Sequence, residues 1–189
     1  DMETLVTVVD DKAHYYPGAG SFVVKLTADK ATRKLLGVQV LGAGAVDKIT
    51  DIGVTAISLG ATVDQLAVMD FAYAPPFSTA IHPFAHSVNI LMNKLDGELE
   101  TLTPAEFAAG AAEGYEIIDC AIEPSLPGKK YLNLTKVDGE VPGLGREDKL
   151  LLVCAKGKRA YLTQNRLKFY GYVNTRVLEG GTTFNEIEE

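Results

Sequence analysis

The residues best suited to chemistry lie in Leu150 to Tyr161, LLLVCAKGKRAY. An apolar run ends at Cys154. Ala155, Lys156, Gly157 and Lys158 then separate it from Arg159, and an amphipathic stretch begins. A strand, a basic glycine-containing loop and a helix in that order build an anion cradle, because loop amides and the helix N-terminus converge on one point. A cysteine there is favoured as thiolate by Lys156, Lys158, Arg159 and the helix dipole. The plainer alternative is a core cysteine at a strand end.

Other chemistry-bearing residues are sparse. His82 and His86 are spaced to share a helix face, but no third ligand lies near them and no Cys/His cluster has zinc spacing, so no metal site is expected. Gly42-Ala43-Gly44-Ala45 joins a strand to a helix. Asp47 stands where a dinucleotide fingerprint needs its third glycine, and the preceding strand belongs to a hairpin-like region, so this reads as a tight turn.

Composition narrows the classes. With 189 residues, 47% hydrophobic and 23% charged, the chain suits one large or two small globular domains. A net charge of −7 argues against non-specific nucleic-acid binding. Two cysteines make no disulfide framework, and no signal peptide or membrane-length apolar run is evident. A cytoplasmic location is expected, with no membrane partner. Asp1-Met2 runs directly into a strand-like segment, which suggests a piece of a longer protein.

The elements that must position these residues fall into two sets. Leu5–Val9, Ser21–Thr27 and Leu35–Leu41 read as an antiparallel hairpin or meander, followed by a helix over Val46–Leu59. Thr62 with Gln65 marks a short capped helix. Pro75-Pro76 forces an extended or turned segment, and a helix after Pro83 carries Phe84, Val88, Leu91 and Leu95 on one face. That face and the strand pair are expected to form a dimer interface. Asp96-Gly97 is the best boundary, giving domains 1–97 and 98–189. Beyond it, Thr103-Pro104-Ala105-Glu106 opens a helix expected to run to Ala112 and stop at Gly114. Strands are expected at Tyr115–Cys120, Tyr131–Leu134, Leu150–Cys154 and Arg176–Leu178, with helices at Lys158–Tyr170 and Thr182–Glu188. This alternation implies a parallel-sheet α/β domain. Cys120 reads as a buried strand residue more readily than as a second redox thiol.

Asp119 closing a buried strand, the Cys154-to-Arg159 loop closing a later one, and Leu178-Glu179-Gly180-Gly181 before a last helix resemble a rhodanese-like domain over residues 99–189. The resemblance implies that Cys154 carries a persulfide sulfur cradled by Ala155, Lys156, Gly157 and Lys158, with Arg159 supporting the loop or the anionic donor. Phosphatases on that fold have one more loop residue, so the spacing favours sulfur. Such domains often place an arginine after the strand-ending Asp, whereas Cys120 and Ala121 follow Asp119 here.

Residues 1–97 resemble the α+β dimerisation domain, an antiparallel sheet with helices, of FAD-dependent pyridine nucleotide–disulfide oxidoreductases. Tyr15-Tyr16-Pro17-Gly18, Gly37-Val38-Gln39-Val40 and above all Tyr73-Ala74-Pro75-Pro76-Phe77-Ser78 carry this likeness. It points to the branch of coenzyme A-disulfide reductases, NADH oxidases and persulfide reductases. There, Tyr73 and one of Tyr15 or Tyr16 are implied to reach the partner subunit's active site; alone, Tyr73 also reads as a packing tyrosine. In lipoamide dehydrogenase-like relatives a His before Pro is the acid/base residue, which His82-Pro83 matches, but Ser87 stands where the orienting glutamate is expected. The two resemblances together imply the C-terminal part of a coenzyme A-disulfide or persulfide reductase. It would be a homodimer acting on coenzyme A-linked or other small sulfur compounds. FAD and NAD(P)H, and possible coenzyme A, would be those of the intact enzyme, since no fingerprint for them occurs here. An assembly module with an inactive rhodanese-like domain, and a free-standing sulfurtransferase, are the alternatives.

Overall fold

The structure is a computed structural model that describes residues 1–187. The chain divides into two compact units, Asp1–Gly97 and Glu98–Glu189.

The first unit is an antiparallel meander with helices. β1 (Met2–Asp10), β2 (Ser21–Asp29) and β3 (Leu35–Gly42) pair in sequence order. β2 alternates, burying Phe22, Val24, Leu26 and Ala28, as a half-buried strand must. α1 (Val46–Ser58) follows the glycine turn, and α2 (Val63–Ala67) starts at a Thr62–Gln65 capping box. α3 (Pro83–Leu95) takes His82 as N-cap, with proline at its first position.

The expectation for α3 needs correcting. Phe84, Val88 and Leu91 are fully buried within the first unit, where α3 packs on β1 and β2. They are core and not a dimer surface. The apolar groups left exposed are others: Val68 (84% exposed), Leu59 (79%) and Phe77 (75%), with Leu41, Val54 and Ile81.

The second unit is a five-stranded parallel sheet. Its strands are β4 (Thr101–Leu102), β5 (Glu116–Asp119), β6 (Lys130–Tyr131), β7 (Leu150–Val153) and β8 (Thr175–Leu178), in spatial order β4-β8-β7-β5-β6. All four residues of the central strand β7 are buried, as expected for a strand covered on both faces. Leu102, Leu151, Val153 and Leu178 form a core with Phe107, Tyr115, Ile117 and Leu126 around it.

Helix α4 (Pro104–Ala108) has the expected Thr103–Glu106 capping box but is shorter than its composition suggests. Gly110 adopts φ 86°, and the Ala111 N–H bonds back to Glu106 O at 2.9 Å, so the chain leaves the helix there and not at Gly114. After β6 a short 3-10 turn, Leu134–Lys136, replaces the rest of the expected strand. Helix α5 (Lys158–Phe169) ends before Gly171, and α6 (Gly181–Phe184) is shorter than the segment expected to reach Glu188, which lies outside the described residues. Among the described residues no helix is long and apolar enough to cross a membrane.

Candidate functional site

The site grows from the C-terminal end of β7. Cys154 follows Val153 directly and is 4% exposed, while Ala155 and Lys158 face solvent. The chain reverses at Gly157, which has φ 88° and ψ −23° and serves as N-cap of α5. That left-handed conformation is open to glycine at little cost and strained for other residues. α5 is held against the sheet by buried Gln164, whose Nε2 donates to Glu100 O at 2.9 Å and Thr175 O at 3.0 Å. The loop is therefore fixed at both ends, by β7 and by α5.

A roof closes the loop from α6. The Thr182 N–H donates to Cys154 O at 3.1 Å, and the Thr183 N–H to Ala155 O at 3.0 Å. With these carbonyls drawn towards α6, the trans peptides turn the Ala155 and Lys156 N–H groups the opposite way, the sense an anion cradle requires. Gly181 makes the close approach possible: a Cβ there would overlap Cys154 O and come within 2.6 Å of Ala155 O. Sequence reasoning did not place Gly181 in the site. Its signal was the Gly180-Gly181 pair, which entered only as part of the rhodanese-like resemblance before the last helix.

Asp119 forms the wall beside β7. Its carboxylate accepts the Ala121 N–H at 2.9 Å, the Leu126 N–H at 2.9 Å and the Ser125 N–H, which folds the segment after β5 around it. Cys120 comes next and is fully buried. Burial pushes its thiol up to about 12. Arg159 donates from Nε to Cys120 O at 3.1 Å. Arg159 thus ties the first turn of α5 to the end of β5, and its contact here is with backbone.

In the first unit, Tyr15 and Tyr73 come together across the sequence. Tyr73 donates its phenolic proton to Tyr15, which holds the Tyr73 pKa above its ordinary value. Both are exposed, and so in part is Tyr16. The Pro-Pro segment that presents Tyr73 is a turn, with the Phe77 and Ser78 N–H groups both bonded to Ala74 O at 2.9 and 3.0 Å. His82 is placed differently. It is buried, stacks on Phe71 with centroids 4.8 Å apart, and its Nδ1 accepts the Phe84 N–H at 3.3 Å. Burial, with Lys48 adding positive charge, lowers its pKa to about 4. Ser87 binds Thr7 Oγ1 at 2.9 Å and Pro83 O at 3.0 Å, so it does not orient the imidazole.

Gly42 to Gly44 join antiparallel β3 to α1, with no parallel βαβ unit around them. These residues do not fit a dinucleotide pyrophosphate.

Residues 2–85 match the pyridine nucleotide-disulphide oxidoreductase dimerisation domain. The matched segment contains Tyr15, Tyr16, Tyr73 and His82. Over 91 residues the chain is 35% identical to an NAD(P)H sulfur oxidoreductase (CoA-dependent) of Pyrococcus furiosus, covering 48% of this chain and 20% of the relative. Over 71 residues it is 38% identical to a coenzyme A disulfide reductase of Staphylococcus epidermidis, covering 38% of this chain and 16% of the relative. Among solved structures, an NAD-dependent persulfide reductase from A. fulgidus matches 97% of this chain and 34% of its own, with 32% identity and TM-score 0.85. The reduced Bacillus anthracis protein CoADR-RHD matches 96% and 33%, with 28% identity and TM-score 0.85. The chain therefore spans about a fifth of the curated relatives and a third of the solved ones. The structural matches extend over the second unit as well as the first.

Proposed function

We propose that this chain is the C-terminal part of an NAD(P)H- and FAD-dependent coenzyme A-disulfide or persulfide reductase. Its first unit supplies a homodimer interface, and its second is a rhodanese-like domain whose Cys154 carries sulfane sulfur. The observation that carries this is the Cys154 loop, closed by left-handed Gly157 and roofed by α6, at the end of the central strand of a parallel sheet. The A. fulgidus and B. anthracis structures, similar over nearly the whole chain, support it. FAD and NAD(P)H would supply hydride and electron transfer in the intact enzyme; the residues here do not fit either.

Loading is a nucleophilic substitution at sulfur. The Cys154 thiolate attacks the sulfane sulfur of a donor such as thiosulfate; the donor S–S bond breaks, sulfite leaves, and a Cys154 persulfide anion remains. The loop amides and the α5 N-terminus then hold that anion. Ala155, Lys156, Gly157 and Lys158 shape the cradle, and Arg159 anchors it to Cys120 O. Tyr73, donating to Tyr15, presents a phenol pair at the dimer partner's site, with Tyr16 beside Tyr15 in sequence. His82 serves there only by its neutral imidazole, since it is uncharged at neutral pH.

The test is sulfur transfer from thiosulfate or polysulfide, with mass spectrometry for one added sulfur on Cys154. Cys154→Ser is expected to lose both transfer and adduct; transfer that survives this change sinks the assignment. One observation favours a second reading, an assembly module with a non-reacting second unit: Cys154 is buried, and thiolate chemistry needs access. A pH profile of Cys154 alkylation separates the two, with an ordinary thiol midpoint supporting the second.

A further inference from the structure

The mechanism leaves one nucleophile unused. In the parallel pairing of β5 with β7, Asp119 stands opposite Val153. The Cys120 N–H continues the ladder by donating to Val153 O at 2.7 Å. The next pair in register is therefore Cys120 and Cys154, side by side where the two strands end. Adjacent strands run about 4.8 Å apart, inside the roughly 4.4–6.8 Å Cα separation that a disulfide spans. Both residues are free thiols, and they lie close enough to feel one another's charge. Arg159, at the start of the helix that closes the Cys154 loop, holds Cys120 O at 3.1 Å and so fixes the second cysteine to the same loop.

The surroundings of Cys120 suit a reaction confined to Cys154. It has no exposed surface, so bulk reagents do not meet it directly in the folded unit. In the thiol form its Sγ rests 3.6 Å from Ile118 O. Thr163, fully buried on α5, has a hydroxyl with no hydrogen-bond partner while Cys120 is a thiol. That hydroxyl is placed to donate to the Cys120 thiolate, which offsets part of the rise that burial imposes.

We propose that Cys120 is the resolving thiol of Cys154, releasing the carried sulfur as hydrosulfide. This rests on the reading of Cys154 as a sulfur carrier. Cys120 Sγ attacks Cys154 Sγ, the Cys154–sulfane bond breaks, and the outer sulfur leaves with the bond's electron pair and the Cys120 proton. A persulfide anion and a thiol thus become a disulfide and a hydrosulfide anion. The sulfane sulfur is reduced and the two cysteines are oxidised together. A dithiol reductant reopens the disulfide and returns the unit to its starting state.

The full chain, reduced and then freed of reductant, is treated with inorganic polysulfide and followed by intact mass, peptide mapping without reductant, and sulfide assay. Wild type is expected to gain one sulfur transiently, then settle at the mass of a species lacking two hydrogens, with a Cys120–Cys154 linked peptide. Cys120→Ala is expected to keep the added sulfur on Cys154 roughly tenfold longer or more, because the lost thiol acted at high effective concentration. Wild type that holds the added sulfur without forming the linked peptide overturns the proposal and leaves the carrier reading intact. Wild type that gains no sulfur and forms no link overturns both. The linked peptide is read in wild type, so a poorly folded variant does not shield the proposal.

Discussion

Replacing Gly181 with alanine should cost the second unit about 3 kcal/mol and empty the cradle. The new Cβ would overlap Cys154 O and stand 2.6 Å from Ala155 O, where 3.4 Å is the onset of ordinary contact. Both obstacles are backbone, so no side chain can swing aside. α6 must retreat by more than an ångström to clear Cys154 O, which stretches the Thr182–Cys154 and Thr183–Ala155 hydrogen bonds, now 3.1 and 3.0 Å, out of range. Each bond is worth about 1 kcal/mol, and alanine at φ 51° adds about 1 kcal/mol. Gly157→Ala is the control. It shares the left-handed backbone, but its Cβ meets nothing closer than Leu178 O at 3.9 Å, so it should lose only about 1 kcal/mol. Urea unfolding followed through amide exchange of β7 isolates the second unit and gives both values. Equal losses for the two variants would refute the reasoning, since only Gly181 is argued to be required by overlap. With the carbonyls released, Gly181→Ala should also take up sulfur on Cys154 far more slowly than Gly157→Ala.

Two further predictions concern the first unit. His82 stays neutral in the fold down to about pH 4, against an ordinary value of 6.5. Below 6.5 the unfolded chain therefore binds a proton that the folded chain refuses, and His82-linked stability, complete above 6.5, is lost as pH falls towards 4. His82→Asn keeps an N-cap acceptor and should flatten the urea midpoint over that window; parallel curves for variant and wild type would exclude His82 as the cause. Tyr15→Phe removes the acceptor of the Tyr73 proton and should lower the Tyr73 pKa towards 10. NMR titration of labelled tyrosine checks this, and an unmoved Tyr73 would mean that the phenol pair does not form in solution.

What could be read from the sequence was mostly local. The Thr62–Gln65 and Thr103–Glu106 boxes announce their helices because a cap is decided within one turn. The loop from Cys154 to Arg159 was legible for the same reason: one strand end, one glycine and one helix start lie within a few residues. Length was harder to read. Gly110 and Gly114 both take positive φ, and composition does not say which ends α4. The apolar face of α3 was misread because a stripe shows that something covers it, not what. β1 and β2 of the same unit do so. Tyr15 and Tyr73 were each singled out by type, but their hydrogen bond depends on a turn and a Pro-Pro segment meeting across the fold.

The same distinction explains why Arg159 and Cys120 change meaning between sequence and structure. In sequence, Arg159 is a charge near Cys154 and Cys120 a buried residue after a strand. Neither property requires the other. The register Asp119–Val153 makes the strand ends coincide, and the Arg159–Cys120 bond then spans the very residues that flank Cys154. An arginine committed through Nε to a backbone oxygen is poorly free to follow a substrate, so on the proposed reading stabilising an anion on Cys154 would fall to the loop amides. Fixed donors of this kind suit a small anion held at one atom more than a large group that must be accommodated. On the proposed reading a terminal sulfur bound to Cys154 would be such an anion, and the thiol of Cys120 at the adjacent strand end would displace it.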